Sequence, residues 1–215
     1  MVIVKRLQPG PMDCNMYLLS DGSSSLLVDA GTGSNPDLLL GTVKGALSGS
    51  EIRGLILTHE HFDHVGGAAE VSRAFECPVY GSRKTAEIVS SGDSMLTGAF
   101  LFGERMAPVE GVDTLGDRIG IGAIDLRVER TPGHSPGSVS LMEEDSGYLF
   151  CGDLLFSGGG VGRWDLPGGD LELLKDSVKR SLGWDVRGLY PGHGPVETEE
   201  PKKHMRLTYS MIKDL

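Results

Sequence analysis

Gly54-Leu55-Ile56-Leu57-Thr58-His59-Glu60-His61-Phe62-Asp63-His64 is an apolar run that ends abruptly in side chains of ligand type. Residues 54–57 are short and apolar enough for a buried strand. His59, His61 and Asp63 are spaced two apart, so an extended backbone projects them to one side, and His64 follows where the chain turns into a helix. Four such side chains within six residues are not explained by core packing. Beyond them, residues 66–75 read as a helix and Cys77–Tyr80 as the next strand. The result is a β-loop-α-β unit with the histidines at its first connection, the place where open α/β sheets hold ligands.

Working outward, Val2–Leu7, Asn15–Leu19 and Ser25–Val28 are β-rich runs separated by the turn signals Gly10-Pro11 and Asp21-Gly22, a sheet meander. Asp29, which ends this meander, reads equally as an acceptor orienting a ligand loop or as a turn residue. In residues 36–47, Leu39, Val43 and Leu47 share a helical face despite Gly41 and Gly45. Residues 91–113 show no clean period, yet Met95, Leu96, Phe100, Leu101, Phe102 and Met106 make them too apolar for a linker, so a flap over a pocket is expected.

In the second half Ile124–Glu129, Val139–Met142, Tyr148–Cys151 and Arg187–Tyr190 read as strands. Leu171, Leu174, Val178 and Leu182 mark one helix, and Met205, Tyr209 and Ile212 another. Two β-rich halves that each carry helices predict an α/β protein, an αββα sandwich of two mixed β-sheets face to face with helices outside. At 215 residues one domain over 1–215 is expected.

Three further loops share the pattern of a strand end followed by a ligand-type residue amid Gly, Pro and Thr. They are Thr131-Pro132-Gly133-His134-Ser135-Pro136-Gly137, Gly152-Asp153, and Pro191-Gly192-His193-Gly194. Five imidazoles and two carboxylates then suit two first-row divalent ions with mixed nitrogen and oxygen coordination better than one. Glu60 and Phe62 alternate with these residues and are expected to face away. His204 has no motif around it and reads as a surface residue.

Composition narrows the partners. Lys and Arg number 20 against 30 Asp and Glu, a net charge of −10, which argues against nucleic acid or an anionic membrane surface as a partner and leaves a small-molecule substrate. No apolar run approaches the ~18 residues of a membrane span. The opening, residues 1–10, does not read as a signal peptide, and the expected location is cytoplasmic. Cys14, Cys77 and Cys151 are widely spaced and odd in number, so reduced thiols are expected rather than a disulfide framework.

The set His59-x-His61-x-Asp63-His64, with His134, Asp153 and His193 following in order, resembles the metallo-β-lactamase fold superfamily over most of the chain. The resemblance implies one metal on His59, His61 and His134, a second on Asp63, His64 and His193, and Asp153 bridging them. Two zinc ions, or iron or manganese in their place, would hold a water or hydroxide as nucleophile. Asp63 and Asp153 are the expected catalytic carboxylates.

Within the superfamily, Thr131–Gly137, Gly152-Asp153-Leu154-Leu155-Phe156 and Pro191–Gly194 are most similar to glyoxalase II, the hydroxyacylglutathione hydrolases, and Gly162-Arg163-Trp164-Asp165 resembles a segment of their shorter relatives. Hydrolysis of small thioesters is the implied reaction. Only 22 residues follow His193, whereas classical glyoxalase II appends a helical domain that grips glutathione, so a different thiol carrier or another small ester or lactone is an open alternative. The segment that starts at Gly162 also resembles persulfide dioxygenases, which use a single iron on the counterparts of His59, His134 and Asp153. Arg163 is expected either to pair with a substrate carboxylate or to form a structural pair with Asp165 or Asp170.

Overall fold

The computed structural model describes residues 2–215. The first sheet is built, in spatial order, from β1 (Ile3–Leu7), β2 (Met16–Ser20), β3 (Ser24–Val28), β4 (Glu51–Ile56), β5 (Val79–Gly81) and β6 (Val112–Thr114). Its first three strands form an antiparallel meander and β3 to β6 run parallel. The crossovers are α1 (Pro36–Ala46), the pair α2 (Phe62–Val65) and α3 (Ala68–Phe75), and α4 (Arg83–Ser91). The second sheet contains β7 (Arg118–Ile121), β8 (Ile124–Arg130), β9 (Val139–Glu143), β10 (Tyr148–Gly152) and β11 (Gly188–Pro191), antiparallel except for the parallel β10–β11 edge. α5 (Leu171–Ser181) and α6 (Pro201–Ile212) follow on its outer side.

Side-chain alternation along each strand turns these elements into layers. In β2, Leu18 packs with Leu39 and Val43 of α1 and Val71 of α3, whereas Tyr17 and Leu19 face the second sheet. In β10, Phe150 joins Tyr17 in the core between the sheets, while Leu149 and Cys151 pack with Leu174 and Val178 of α5 and Met205 of α6. Three apolar cores therefore separate four layers, the expected αββα sandwich. No helix of the described residues is long and apolar enough to cross a membrane.

The helix expected over 66–75 is found as α3, starting at Ala68, and a short α2 that was not expected precedes it across Gly66-Gly67. A Cβ on Gly66 would overlap the Thr32 carbonyl group, so a glycine lets the ligand loop press against the chain after β3. The sequence reading passed over α4, β6 and β7. α4 is short, and β6 and β7 are brief strands without a long apolar alternation. Residues 91–113 are ordered by packing: Thr97 and Ala99 are buried, the Thr97 carbonyl accepts from the Phe62 amide at 2.8 Å, and the Phe62 and Phe102 rings lie 5.4 Å apart.

Candidate metal centre

Every residue of the predicted cluster lies just beyond the carboxyl end of a strand: His59, His61, Asp63 and His64 after β4, His134 after β8, Asp153 after β10 and His193 after β11. The two sheets thus deliver four loops to one edge of the sandwich, and all seven side chains meet there. Among the described residues four groups have donor atoms close enough to share an ion; two are the expected sets, His59 with His61 and His134, and Asp63 with His64 and His193, and the others are His59 with His64 and Asp153, and Cys14 with Asp29 and His64. Asp153 stands between the two expected sets: Oδ1 is 3.3 Å from His64 Nε2, and Oδ2 is 3.5 Å from His134 Nε2 and 3.6 Å from His193 Nε2. Gly192 makes this approach feasible, because a Cβ there would overlap Asp153 Oδ1.

Hydrogen bonds behind the cluster fix which ring nitrogens carry protons. His134 Nδ1 lies 2.6 Å from the Arg163 carbonyl oxygen, which can only accept, so Nδ1 donates and Nε2 keeps its lone pair. Asp29 accepts from the Thr58 amide, the Thr58 hydroxyl and His64 Nδ1, each at 2.8 Å. With its proton committed to Asp29, the Thr58 hydroxyl oxygen accepts from His59 Nδ1 at 3.1 Å. One buried carboxylate, aided by Thr58, therefore turns the Nε2 lone pairs of both His59 and His64 toward the cluster. Of the two readings of Asp29, the structure supports the orienting acceptor; its backbone, at φ 62°, also makes the turn.

The outcome is electrostatically one-sided. The Nε2 lone pairs of His59 and His134 face each other at 3.2 Å, and His61 Nδ1, 2.7 Å from His134 Nε2, can bring a proton to His134 but not to His59. His64 Nε2 and Asp153 Oδ1 are buried and lack any hydrogen-bond partner. Buried polar groups are ordinarily satisfied, and divalent cations satisfy this donor set of imidazoles and carboxylates.

The proton affinities follow the same field. Burial, reinforced by His134, pushes His61 down to about 3, and burial likewise holds His59 and His134 below the usual imidazole value. His64 goes the other way. Burial opposes its charge, but Cys14 and the carboxylates of Asp29, Asp63 and Asp153 outweigh that and hold it well above its usual value. For Asp153 burial is outweighed by His64, His134 and His193, and its carboxyl stays ionised far below the ordinary range. A centre that favours neutral imidazoles on one side and positive charge on the other has the polarity of a cation site.

The neighbouring residues divide into supports and bystanders. Glu60 points away from the cluster, as expected, but it is fully buried and ties two ligand loops together, accepting from the Gly137 amide at 3.2 Å and the Thr85 hydroxyl at 3.1 Å. Phe62 also faces away, against Phe102. Arg163 lines the cavity above the cluster, and its guanidinium forms a two-pronged pair with Asp165 at 2.7 and 2.9 Å. Asp170 instead caps α5 by accepting from the Leu173 amide. His204 is not a plain surface residue: it is half-buried, accepts from the Gly158 amide at 2.7 Å and sits 3.3 Å from Glu197, anchoring the glycine-rich loop of residues 157–169 to α6. Thr58, Gly192 and the Arg163 carbonyl were not anticipated from sequence. Thr58, next to His59, is the one that its position could have flagged.

Comparison with known proteins agrees with this architecture. The family model described as the metallo-beta-lactamase superfamily matches residues 9–193. "Probable metallo-hydrolase MJ0888" of Methanocaldococcus jannaschii is 34% identical over 85% of this chain and 88% of its own. The hydroxyacylglutathione hydrolase GloC of Haemophilus influenzae is 32% identical over 60% of this chain and 61% of its own. Among solved structures, the BLEG-1 B3 metallo-β-lactamase is 33% identical with a TM-score of 0.82, covering 96% of this chain and all 100% of its own. TTHA1623 in a di-iron-bound form is 33% identical with a TM-score of 0.79, covering 97% and 99%. The chain belongs to the metallo-β-lactamase superfamily, as a metallo-hydrolase with a metal-binding cluster of histidines and aspartates.

Proposed function

We propose that the protein hydrolyses small thioesters with two zinc ions, one held by His59, His61 and His134 and the other by Asp63, His64 and His193, with Asp153 reaching both. The observation that carries this reading is Asp153, whose Oδ2 stands between His134 of the first set and His193 of the second and whose Oδ1, beside His64, is buried without a protein partner. The partial likeness to a hydroxyacylglutathione hydrolase supports the thioester class. When bound, such ions supply Lewis acidity, polarising a carbonyl and making water acidic enough to attack near neutral pH.

The chain's own groups do the rest. Water adds its oxygen to the acyl carbon, the carbon–sulfur bond breaks, and a carboxylic acid and a free thiol leave. A thiol of pKa about 8.5 departs as thiolate, so no strong general acid is required. Asp153 reaches both sets, and Asp63 and His193 close the cluster on its solvent side. Asp63 Oδ2 and His193 Nε2 are 2.9 Å apart, and His193, with 38% of its side chain exposed, reaches solvent. Arg163 at the rim is the group placed to meet a substrate carboxylate, once released from its exposed and hence weak pair with Asp165. Three unpaired cysteines fit a reducing compartment, and we place the activity in the cytoplasm.

Zinc-loaded protein is to be assayed for thiol release from a panel of small thioesters, beside oxygen uptake with a persulfide by iron-loaded protein. Thiol release that depends on zinc supports the proposal. Oxygen uptake without thioester cleavage transfers the chain to the persulfide dioxygenase reading.

A further inference from the structure

The cavity over the cluster measures about 260 Å³, at the small end of the roughly 300–1,000 Å³ usual for small-molecule sites. It has room for the reacting end of a substrate and not for a peptide-sized thiol carrier as well. Its floor is charged, formed by the cluster. Its walls are apolar: Leu101 and Phe102 from the 91–113 segment, Phe156 after β10, and Val161 and Leu166 from the glycine-rich loop.

Several of the polar hydrogens in those walls are already engaged. The Thr97 hydroxyl donates to the Asp93 carbonyl at 2.7 Å. The Gly98 amide donates to Met95 and the Gly162 amide to Asp153. The Arg163 guanidinium, 63% exposed, stands at the rim, where a carboxylate of the carrier rather than the acyl group would meet it. A hydroxyl on the acyl group would therefore lose water and find few free partners in these walls, a cost that an aliphatic chain does not bear.

We infer that this cavity is an acyl slot selecting short aliphatic acyl groups over hydroxyacyl groups, with the thiol carrier left outside at the rim. The inference rests on the thioester reading for its reaction, though not for its binding preference. Leu101 and Val161 are the specificity-determining residues most open to test, since Leu101 is 51% exposed and Val161, half-buried at the margin of the core under α5 and α6, keeps its shape as threonine.

The test uses zinc-loaded protein and N-acetylcysteamine thioesters of acetate, butanoate, hexanoate and 2-hydroxypropanoate. Burial of a methylene is worth ~0.8 kcal/mol, about fourfold, so kcat/KM is expected to rise about 15-fold from acetyl to butanoyl and to fall for 2-hydroxypropanoyl relative to butanoyl. Leu101→Ser and Val161→Thr are expected to shrink the butanoyl-to-acetyl ratio severalfold. Calorimetric binding of acetate, butanoate and lactate to the same protein gives a readout independent of turnover, with butanoate expected to bind most tightly. Cleavage with no acyl-chain dependence, or a preference for 2-hydroxypropanoyl, overturns the slot and leaves the thioester reading standing. Tight butanoate binding with no thioester cleaved supports the slot and overturns the thioester reading. Neither cleavage nor selective binding overturns both.

Discussion

Replacing Asp29 with asparagine tests how the cluster is wired. Asp29 is 1% exposed, and its Oδ2 alone receives two donors, the Thr58 hydroxyl and His64 Nδ1, each at 2.8 Å. In Asp29→Asn the amide oxygen can still accept from the Thr58 amide, but an NH₂ group now meets two groups that were donating. Both must reverse. His64 accepts at Nδ1 and carries its proton at Nε2. The Thr58 hydroxyl accepts from the amide and donates to His59 Nδ1, which moves the His59 proton to Nε2 as well. Each metal set then loses a lone pair although no ligand has been changed.

Loss of such an outer hydrogen bond ordinarily weakens metal binding 10–100-fold, or ~1.4–2.8 kcal/mol, and the shared relay through Asp29 predicts a loss of that size at both sites. The cost in stability is expected to stay near 1–3 kcal/mol, that of one buried group left poorly paired. Competition against a chelating dye reads both zinc affinities, and thermal unfolding of the metal-free variant confirms the fold. Two unchanged affinities in a folded Asp29→Asn protein refute the relay. Weakening at one site only shows that Thr58 does not transmit the effect to His59.

Gly192→Ala puts a methyl group where Asp153 Oδ1 and the His64 ring already lie, so metal content is expected to fall from two ions to one while circular dichroism is preserved; two retained ions contradict the packing argument. Asp153→Ala is expected to lower turnover by at least a thousandfold in a folded protein, and turnover like that of the wild type with full metal content removes Asp153 from the mechanism. Arg163→Ala breaks only an exposed pair with Asp165, so Tm is expected to hold, while KM rises for substrates bearing a carboxylate and not for neutral ones. Equal effects on both substrate types, or none on either, remove Arg163 from substrate binding.

The sequence was most readable where local pattern and tertiary packing agree. The spacing of His59, His61 and Asp63 announces one-sided projection from an extended chain, and that projection survives in the fold. His134, Asp153 and His193 were recognisable because each follows a strand-like run and sits beside glycine. The αββα layering was implied by two β-rich halves with amphipathic helices. What stayed hidden depends on contacts between distant segments. Asp29 and Thr58 are 29 residues apart in sequence, and no local pattern couples them. The partnership of His204 with the Gly158 amide spans 46 residues, and a lone histidine on a helix carries no trace of it. β6 and β7 were missed because short strands at or near a sheet edge need little alternation, and α2 was missed because four residues are too few to show a helical period. Arg163 was readable as either of two pairs, and its two-pronged bond to Asp165 is set by loop geometry rather than spacing.

Counting metal by elemental analysis, after zinc reconstitution and removal of excess ion, tests the central claim most directly. The account predicts two zinc ions per chain in the wild-type protein and one in His193→Ala, whose lost side chain belongs to only one of the two sets. A single tightly held ion in the wild-type protein, unchanged in stoichiometry by His193→Ala, contradicts the binuclear centre.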